Sequence, residues 1–295
     1  MVMCSDKDFL IRGVFKTYAV RIALGNFSHA VRTAILKHDA DPVAARLLGS
    51  GLISGALMSV LLNEEERYSM RLDYQGPARG MILDIPGKGG IRGFICNPHI
   101  MTETESIDTA CGEKCVVSVT RSQEGKVLNS GQSESAFVMP EAALSYYLSV
   151  SDQVESEIRS ALIFRPDPAD PVSCACGALI QALPGCDLEL FNSMREKLLS
   201  DEAGLLLSDE TLLPEEKLEK LAALLSGIPA PALEVVRVPA PCFECKCSAQ
   251  KLWETARIML GDEEFAKLLE ENPDPAIRCQ FCSSEHRYSA SGLNK

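Results

Sequence analysis

Four cysteines near the C-terminus stand in two closely spaced pairs, Cys245 with Cys247 and Cys279 with Cys282. Two such pairs, with 31 residues between them, are typical of chains that supply four thiolates to one tetrahedral Zn²⁺. The intervening chain has to fold back on itself for the four sulfurs to meet. The pattern therefore predicts a small metal-centred fold, whose thiols are also two dithiols open to oxidation.

The cysteine content and the charge limit the environment of the chain. Its 295 residues include 12 cysteines and carry a formal net charge of -12. Residues 1–8 lack the basic and apolar regions of a secretory signal, so we expect a cytoplasmic protein, whose thiols stay reduced and serve metal binding or redox chemistry. The negative charge disfavours nucleic acid and anionic membranes as partners, because both attract basic surfaces.

The most apolar stretch runs from Leu47 to Leu62 and contains several glycines and serines. Its 16 residues are too few for a membrane span, which needs about 20 apolar residues. Asp41 followed by Pro42 resembles an N-cap with proline at the first helical position. We expect a buried helix that begins at Pro42.

Residues 1–183 are predicted to form a mixed α+β core domain. Alternating apolar residues or short apolar runs between turn residues indicate strands, and helical spacing or an N-terminal proline indicates helices. The predicted strands are 19–24, 68–74, 80–85, 91–96, 115–120 and 135–138, and the predicted helices are 27–38, 42–62 and 140–147. Segments 154–163 and 179–183 are predicted to be the last secondary-structure elements of this domain. The Gly-rich segment 86–90 lacks the spacing of a phosphate-binding loop and is interpreted as a hairpin turn.

Residues 184–232 are predicted to form an acidic, amphipathic helical linker. The segment 187–234 contains 11 acidic and 4 basic residues, a net charge of -7. Apolar side chains still recur at helical spacing in two stripes, with the second ending at Gly227. The stripes are Leu190, Met194 and Leu198, and Leu218, Leu221 and Leu225. Such helices either pack permanently on the core or form a linker whose apolar stripe is covered only while its neighbours stay folded.

Residues 233–295 are predicted to form a C-terminal zinc-binding domain. The insertion from Ser248 to Glu271 between the cysteine pairs has the composition of a helix. A domain this short offers only a few kcal/mol from its own core, at about 0.05–0.15 kcal/mol per residue. A structural zinc contributes about 10–16 kcal/mol in small peptides. Removal of the metal should therefore unfold the domain, and oxidation of the thiolates removes the metal.

Other residues compete as ligands or suggest further centres. Cys242 extends the first pair to Cys-x-x-Cys-x-Cys, and His286 follows Cys282 by four residues. Nearby cations could favour the thiolate form; they are Lys246, Lys251, Arg278 and Arg287. Five more cysteines are interpreted as small buried apolar residues, with a second metal or redox centre as the alternative. They are Cys111, Cys115, Cys174, Cys176 and Cys186.

The chain resembles the redox-regulated heat-shock holdase chaperones of thirty-three kilodaltons. The resemblance rests on the two cysteine pairs and their separation, and covers essentially the whole length. It is supported by Tyr18-Ala19-Val20-Arg21, by Gln181-Ala182-Leu183-Pro184-Gly185, and by the order of core, acidic linker and cysteine domain.

The resemblance implies a chaperone that is not an enzyme and acts without ATP. It implies one zinc per reduced, inactive chain, bound by Cys245, Cys247, Cys279 and Cys282. Under oxidants these residues would form disulfides that join Cys245 to Cys247 and Cys279 to Cys282. Zinc would then leave, the linker and zinc domain would unfold, and the exposed apolar surface would bind unfolding client proteins, often as a homodimer.

Two other functions fit parts of the pattern. A thiol-disulfide oxidoreductase could use the Cys279-x-x-Cys282 pair, although a reactive pair of this kind usually begins a helix. A zinc ribbon could bind nucleic acid, but residues 233–295 hold 8 basic and 10 acidic residues and offer no basic surface.

Overall fold

The computed structural model describes residues 8–100 and 106–288, and its contacts divide the chain into two compact units. The first unit ends at Glu244 and the second begins at Cys245. Both contain helices and strands, in agreement with the predicted α+β class. The prediction about a secretory signal concerns residues that lie, apart from Asp8, outside the described part of the chain.

One five-stranded antiparallel sheet of the first unit joins distant parts of the sequence in the order β10-β1-β2-β9-β8. Its strands are β1 (Phe9–Phe15), β2 (Val20–Asn26), β8 (Ser156–Phe164), β9 (Val172–Ala182) and β10 (Glu234–Val238). The edge strand β10 pairs with β1 through a register that places Arg12 opposite Val236. The chain therefore returns to its first strand just before it enters the second unit.

The other five-stranded sheet of the first unit is built from neighbouring hairpins in the order β5-β4-β3-β6-β7. Its strands are β3 (Glu66–Tyr74), β4 (Gly80–Pro86), β5 (Arg92–Ile95), β6 (Cys115–Gln123) and β7 (Lys126–Ser135). The Gly-rich segment 86–90 connects β4 to β5, which confirms the predicted hairpin turn. The predicted strand 135–138 is wrong, because β7 ends at Ser135, whose hydroxyl accepts a hydrogen bond from the Phe137 amide at 2.9 Å.

A buried helix packs against both sheets. This helix is α2 (Pro42–Met58), and the other described helices before residue 151 are α1 (Ser28–His38), the short α3 (Ile107–Cys111) and α4 (Pro140–Val150). The Asp41 carboxylate caps α2 by accepting from the Ala44 amide at 2.8 Å, and Pro42 occupies the first turn, as predicted. The segment Pro42–Leu61 is long and apolar enough for a membrane span, but 94% of its most apolar window is buried inside the protein.

Glycines allow α2 to lie this close to both sheets. A Cβ atom at Gly49 would lie 2.6 Å from a methyl group of Leu162 on β8. On the other side, a Cβ atom at Gly55 would lie 2.7 Å from the Ile85 side chain on β4. The apolar, glycine-containing segment is therefore an interior helix, in agreement with the prediction.

Three helices cover the face of the first sheet that α2 leaves free. They are α5 (Leu188–Leu198), α6 (Asp201–Ser208) and α7 (Pro214–Ser226). These helices make up most of the predicted linker, and their apolar side chains face the sheet. Their buried side chains form one cluster with those of β1, β2 and β9. The second stripe is buried as predicted, and α7 ends at Gly227 with φ 72°. In the first stripe Leu190 is only half-buried, and Phe191 is the fully buried residue of that turn.

The described part of the second unit, which ends at residue 288, contains two helices and a short hairpin. They are α8 (Ala249–Leu260), α9 (Asp262–Glu271), β11 (Ala276–Arg278) and β12 (Glu285–Arg287). The predicted helical insertion is thus two helices, separated at Gly261, whose φ of 79° is not helical. The predicted domain boundaries after residues 183 and 232, which separate the core, the linker and the zinc domain, stay predictions.

Candidate metal centre

The first cysteine pair precedes α8 in an extended segment. Ser248 caps α8 by accepting a hydrogen bond from the Lys251 amide at 3.3 Å. A serine in this position satisfies one of the free amides of the first helical turn and fixes where the helix begins. Cys245 and Cys247 lie directly before this cap, and both are partly buried.

The second cysteine pair occupies the turn of the β11–β12 hairpin. Ile277 pairs with His286 and Arg278 with Glu285, so the turn begins at Cys279. The Cys279 amide donates to the Ser284 carbonyl oxygen at 2.9 Å, and the Ser283 amide donates to the Cys279 carbonyl oxygen at 2.8 Å. These main-chain bonds hold Cys279 and Cys282 on one tight loop with both side chains buried.

The two loops bring the four predicted sulfurs together. All four Sγ atoms lie within 4.8 Å of one another. The Sγ atoms of Cys245 and Cys279 are 3.8 Å apart, and those of Cys247 and Cys282 are 3.5 Å apart. A tetrahedral zinc with bonds of about 2.3 Å separates its sulfur ligands by about 3.8 Å. The donor set and spacing therefore fit a metal ion that prefers four thiolates.

The two alternative ligands occupy different positions. Cys242 belongs to the first compact unit, where its carbonyl oxygen accepts from the Ile91 amide at 2.8 Å. The His286 Nε2 atom lies 3.3 Å from the Cys247 Sγ atom. Within the described residues, the group of mutually close ligand atoms consists of the four cysteines alone. The histidine is thus a neighbour of the centre, and the exact ligand set stays a prediction.

The cysteine thiols of this group differ in pKa because their surroundings differ. Burial raises the pKa of Cys247 and of Cys279, and contacts with the neighbouring thiols add to the increase. Burial also acts to raise the pKa of Cys282, but hydrogen bonds from the hydroxyl and amide of Ser284 and from two cysteines outweigh it. The pKa of Cys282 falls to about 7, so one thiolate forms readily near neutral pH.

Two of the four predicted cations, Arg278 and Arg287, bond to groups other than the sulfurs. Arg287 is paired with Asp274 and with Glu285. The Arg278 Nε atom donates to the Ser283 carbonyl oxygen at 3.2 Å and so supports the second loop. The lowered pKa of Cys282 follows from hydrogen bonds to its sulfur, a contribution that the sequence pattern did not reveal.

The second unit has a very small core of its own. Three aromatic rings meet edge to face, with Trp253 5.3 Å from Tyr288 and 6.2 Å from Phe265 between ring centroids. The buried hydrophobic residues of this unit, in its described part, are Trp253, Phe265, Cys279 and Cys282. Several apolar residues of the helices are exposed, such as Ile258 at 83%. Two of these four buried residues are therefore cysteines of the candidate metal centre.

Comparisons with known proteins agree on one family. The family described as Hsp33 protein matches residues 8–289. The 33 kDa chaperonin of Bacillus velezensis is 27% identical over 98% of this chain and 97% of its own length. The 33 kDa chaperonin of Bacillus licheniformis is 26% identical over 97% of each chain.

A solved structure shows the same fold. The crystal structure of the 33 kDa chaperonin, heat shock protein 33 homolog, from Thermotoga maritima superposes with a TM-score of 0.81. The alignment covers 97% of this chain and 96% of the other at 21% identity. The fold is therefore common to both proteins over nearly their whole length.

Proposed function

The chain belongs to the Hsp33 protein family, and from this premise we propose that it is a redox-regulated, ATP-independent holdase chaperone of the cytoplasm. In the reduced protein, Cys245, Cys247, Cys279 and Cys282 hold one Zn²⁺ per chain, and the protein does not bind clients. Oxidation of the four cysteines switches client binding on. The convergence of two separate cysteine loops on one four-sulfur group is the observation that supports this proposal most strongly.

The small core of the second unit supports a structural purpose for the metal. The four buried hydrophobic residues in the described part of this unit, two of them cysteines, form too small a core to keep a domain of this size folded without a metal or another cross-link. Metal binding of about 10–16 kcal/mol supplies the missing stability. The bound ion would link the loop before α8 to the β11–β12 turn, which no regular secondary structure joins.

Oxidation acts on the thiolates themselves. Each disulfide, Cys245 with Cys247 and Cys279 with Cys282, forms from two thiolates with the loss of two electrons, which together with two protons from solvent reduce one hydrogen peroxide to two water molecules. A disulfide sulfur is a poor metal ligand, so the two loops lose their common anchor.

The client surface is proposed to lie on the linker and the sheet beneath it. The apolar faces of α5, α6 and α7 cover β1, β2 and β9 in the reduced protein. Their release would expose both apolar faces to unfolding proteins, while the net charge of -7 on segment 187–234 keeps the linker soluble. Exposed faces of this kind also favour association of two oxidised chains, and we propose a homodimer for the active state.

The alternative functions have less support. Cys279-x-x-Cys282 lies in a hairpin turn and not at a helix N-terminus, where oxidoreductase pairs are activated. The second unit has no excess of basic residues in its sequence, which disfavours nucleic-acid binding. Relatives that match along nearly their whole length are named chaperonins.

The test compares reduced and oxidised protein in two measurements. Zinc is quantified with a chromogenic chelator, and suppression of thermal aggregation of citrate synthase is followed by light scattering. We expect one zinc per reduced chain with no suppression, and zinc release with full suppression after peroxide and mild heating. Equal suppression by both forms would reject the switch.

A further inference from the structure

The edge strand β10 is attached to its sheet mainly through its main chain. It pairs with β1 along all five of its residues. Four of its five side chains are exposed, among them those of Val235 and Val236. The side chains therefore bury little apolar surface, and main-chain hydrogen bonds to β1 have to supply most of the attachment.

Two ion pairs add little to this attachment. Glu234 pairs with Lys16 on the other side of β1, and both side chains are exposed. Arg237 pairs with Glu215 of α7 at 3.3 Å, and these side chains are exposed as well. Exposed ion pairs are screened by water and contribute little to stability. β10 can therefore leave the sheet with the loss of few side-chain contacts.

Neighbouring segments hold both ends of β10. Before the strand, Leu233 packs against the apolar cluster that contains the linker helices. After the strand, the Ile91 amide donates to the Cys242 carbonyl oxygen at 2.8 Å, and the Glu244 amide donates to the Ile91 carbonyl oxygen at 2.9 Å. The next residue is Cys245 of the candidate metal centre. β10 thus lies between the linker helices and the metal-binding unit, the two segments that the proposed function releases on oxidation.

Departure of β10 would leave β1 as the edge of the sheet. β1 is mostly buried, with Leu10 and Ile11 almost completely so. Its other edge pairs with β2 along all seven residues, so β1 keeps its extended shape without β10. An apolar strand with a row of unpaired amides and carbonyl groups is a template for pairing with another chain.

Gly13 allows another main chain to approach β1 closely. It lies opposite Val235, and a Cβ atom at Gly13 would lie 3.0 Å from the Glu234 carbonyl oxygen and 3.1 Å from a methyl carbon of Leu233. A glycine inside a strand often marks such a close approach of a second backbone. At this position β1 presents no side chain that a strand of different sequence would have to fit.

A cavity beside Leu10 favours an apolar side chain in the added strand. Its volume is about 580 Å³, and its wall includes Leu10, Val60 and Leu62. Charged residues such as Lys88 form other parts of the wall. Val238 of β10 also lines the cavity and lies opposite Leu10. Because opposite residues of an antiparallel pair share one face of the sheet, any strand in the place of β10 directs one side chain to this cavity.

We propose that the edge of β1 now covered by β10 is a client-binding edge, to which an extended apolar segment of an unfolding protein adds as a strand. In the reduced protein β10 occupies this edge in place of the client. The client segment carries an apolar residue opposite Leu10, and its main chain supplies most of the affinity. This inference rests on the proposed function and specifies the conformation and composition of the segments that are bound.

The first experiment uses the chain's own strand as the probe. A fluorescein-labelled peptide of residues 233–239 is titrated, by fluorescence anisotropy, into the full-length chain, either reduced and zinc-loaded or oxidised with peroxide. We expect at least tenfold tighter binding to the oxidised chain, because β10 covers the edge in the reduced one. Suppression of citrate synthase aggregation is measured on the same samples. An oxidised chain that suppresses aggregation but does not bind the peptide would overturn the proposal.

Methylation of the peptide main chain separates strand addition from side-chain contact. Alternate amides of a strand point to opposite edges. Methyl groups on the amides of Glu234, Val236 and Val238 therefore block one edge, and methyl groups on those of Val235 and Arg237 block the other. One methylated peptide should lose binding at least tenfold, and the other should bind like the unmodified peptide. Equal binding by the two methylated peptides would exclude pairing with β1.

Two substituted peptides test the cavity. The peptide with Val238→Asp should bind at least tenfold more weakly, because it places a carboxylate opposite Leu10. The peptide with Val236→Asp is the matched control, since Val236 is exposed and lies opposite Arg12. Its affinity should stay within about threefold of the unmodified peptide. Equal losses in the two peptides would contradict the proposed preference for an apolar residue opposite Leu10.

A variant with a disabled β10 tests the edge without oxidation. Proline has no amide hydrogen, and V235P/V236P replaces adjacent residues, so the one whose amide faces β1 is always included. The reduced, zinc-loaded variant should bind the peptide as tightly as the oxidised wild type does. E234Q/R237Q is the matched control, because it loses both ion pairs but keeps the main chain of β10. It should bind the peptide only after oxidation.

This variant also separates the proposal from the redox switch. Circular dichroism and zinc content establish that V235P/V236P and E234Q/R237Q are folded. Peptide binding by reduced V235P/V236P supports the client-binding edge even where oxidation of the wild type fails to activate it. A folded V235P/V236P that does not bind the peptide would overturn the proposal while the redox switch stands.

Hydrogen exchange locates the client on the oxidised chain. The β1 amides that face β10 should exchange faster after oxidation and at least tenfold more slowly again in the complex with citrate synthase, whereas the amides of β2 stay protected throughout. β1 amides that remain fast in the client complex would overturn the proposal. Protection that rises with the concentration of the oxidised chain alone would also overturn it, by assigning the edge to a second copy of the chain.

Discussion

The indole Nε1 of Trp253 donates a hydrogen bond to the main-chain carbonyl oxygen of His286 at 3.2 Å. This bond joins α8, which follows the first cysteine loop, to β12, which follows the second. The same indole packs edge to face on Tyr288 and Phe265. The Trp253 side chain thus connects α8 with β12, the elements that follow the two cysteine loops.

Replacement of Trp253 by phenylalanine should loosen the metal centre without emptying it. W253F keeps an aromatic ring but loses the hydrogen bond, and we expect a loss of about 1 kcal/mol in the stability of the second unit. Peroxide-induced zinc release should become about fivefold faster. I258A on the same helix is the control, because Ile258 is 83% exposed. An identical rate of release in W253F and wild type would contradict the structural importance of this bond.

Substitution of single cysteines should separate ligands from neighbours. C245S removes one of the four mutually close sulfurs and should abolish stoichiometric zinc binding, because the remaining set is incomplete. C242S should retain one zinc per chain, since Cys242 lies in the first compact unit, with its carbonyl oxygen bonded to the Ile91 amide. Metal content is measured by atomic emission on purified, reduced protein. Loss of zinc from C242S would show that the ligand set differs from the proposed one.

Elements with a strong local pattern could be predicted from the sequence. The helix after Asp41-Pro42 has a cap, an N-terminal proline and a long apolar run, and all three act within a few residues. The cysteine loops could be predicted because the separation of the cysteines along the sequence reflects the chemistry of metal ligands and not burial. Both kinds of signal survive in a single sequence because they do not depend on distant partners.

Elements defined by distant partners could not be predicted in the same way. β10 is mostly exposed and exists because it pairs with β1, more than two hundred residues earlier. β7 is polar along most of its length and is held by its ladder with β6. The contact between Lys217 and Cys176 likewise joins a helix and a strand whose spacing in sequence has no pattern. Pairing and docking of this kind are properties of the folded chain.

Protonation of Glu66 should destabilise the first unit in acid. Its carboxylate accepts from the Asn63 amide at 2.7 Å and from Arg121 at 2.6 Å, and the Asn63 bond leads the lowering of its pKa. Because the folded-state pKa lies below the unfolded value of about 4.3, this stabilisation is present above that pH and is lost as pH falls through the folded pKa. E66Q should cost about 2 kcal/mol at pH 7.

Denaturant unfolding at several pH values checks this prediction. The difference between wild type and E66Q should be constant from pH 7 to about pH 5 and should shrink below the unfolded-state pKa of about 4.3. E64Q is the control, because the Glu64 side chain is 72% exposed in its ion pair with Lys88. A difference between wild type and E66Q that does not change with pH would exclude the carboxylate charge as its source.

Weaker packing of α7 should make the chaperone easier to activate. Leu221 is fully buried in the cluster between the linker helices and the sheet, and L221A should cost about 2–5 kcal/mol of local packing. Under the proposed function, L221A should therefore suppress aggregation of citrate synthase at a lower temperature or lower peroxide concentration than wild type. L205A on α6 is the matched control, since Leu205 is 72% exposed. Equal thresholds for L221A and L205A in light scattering would show that release of α7 does not limit activation.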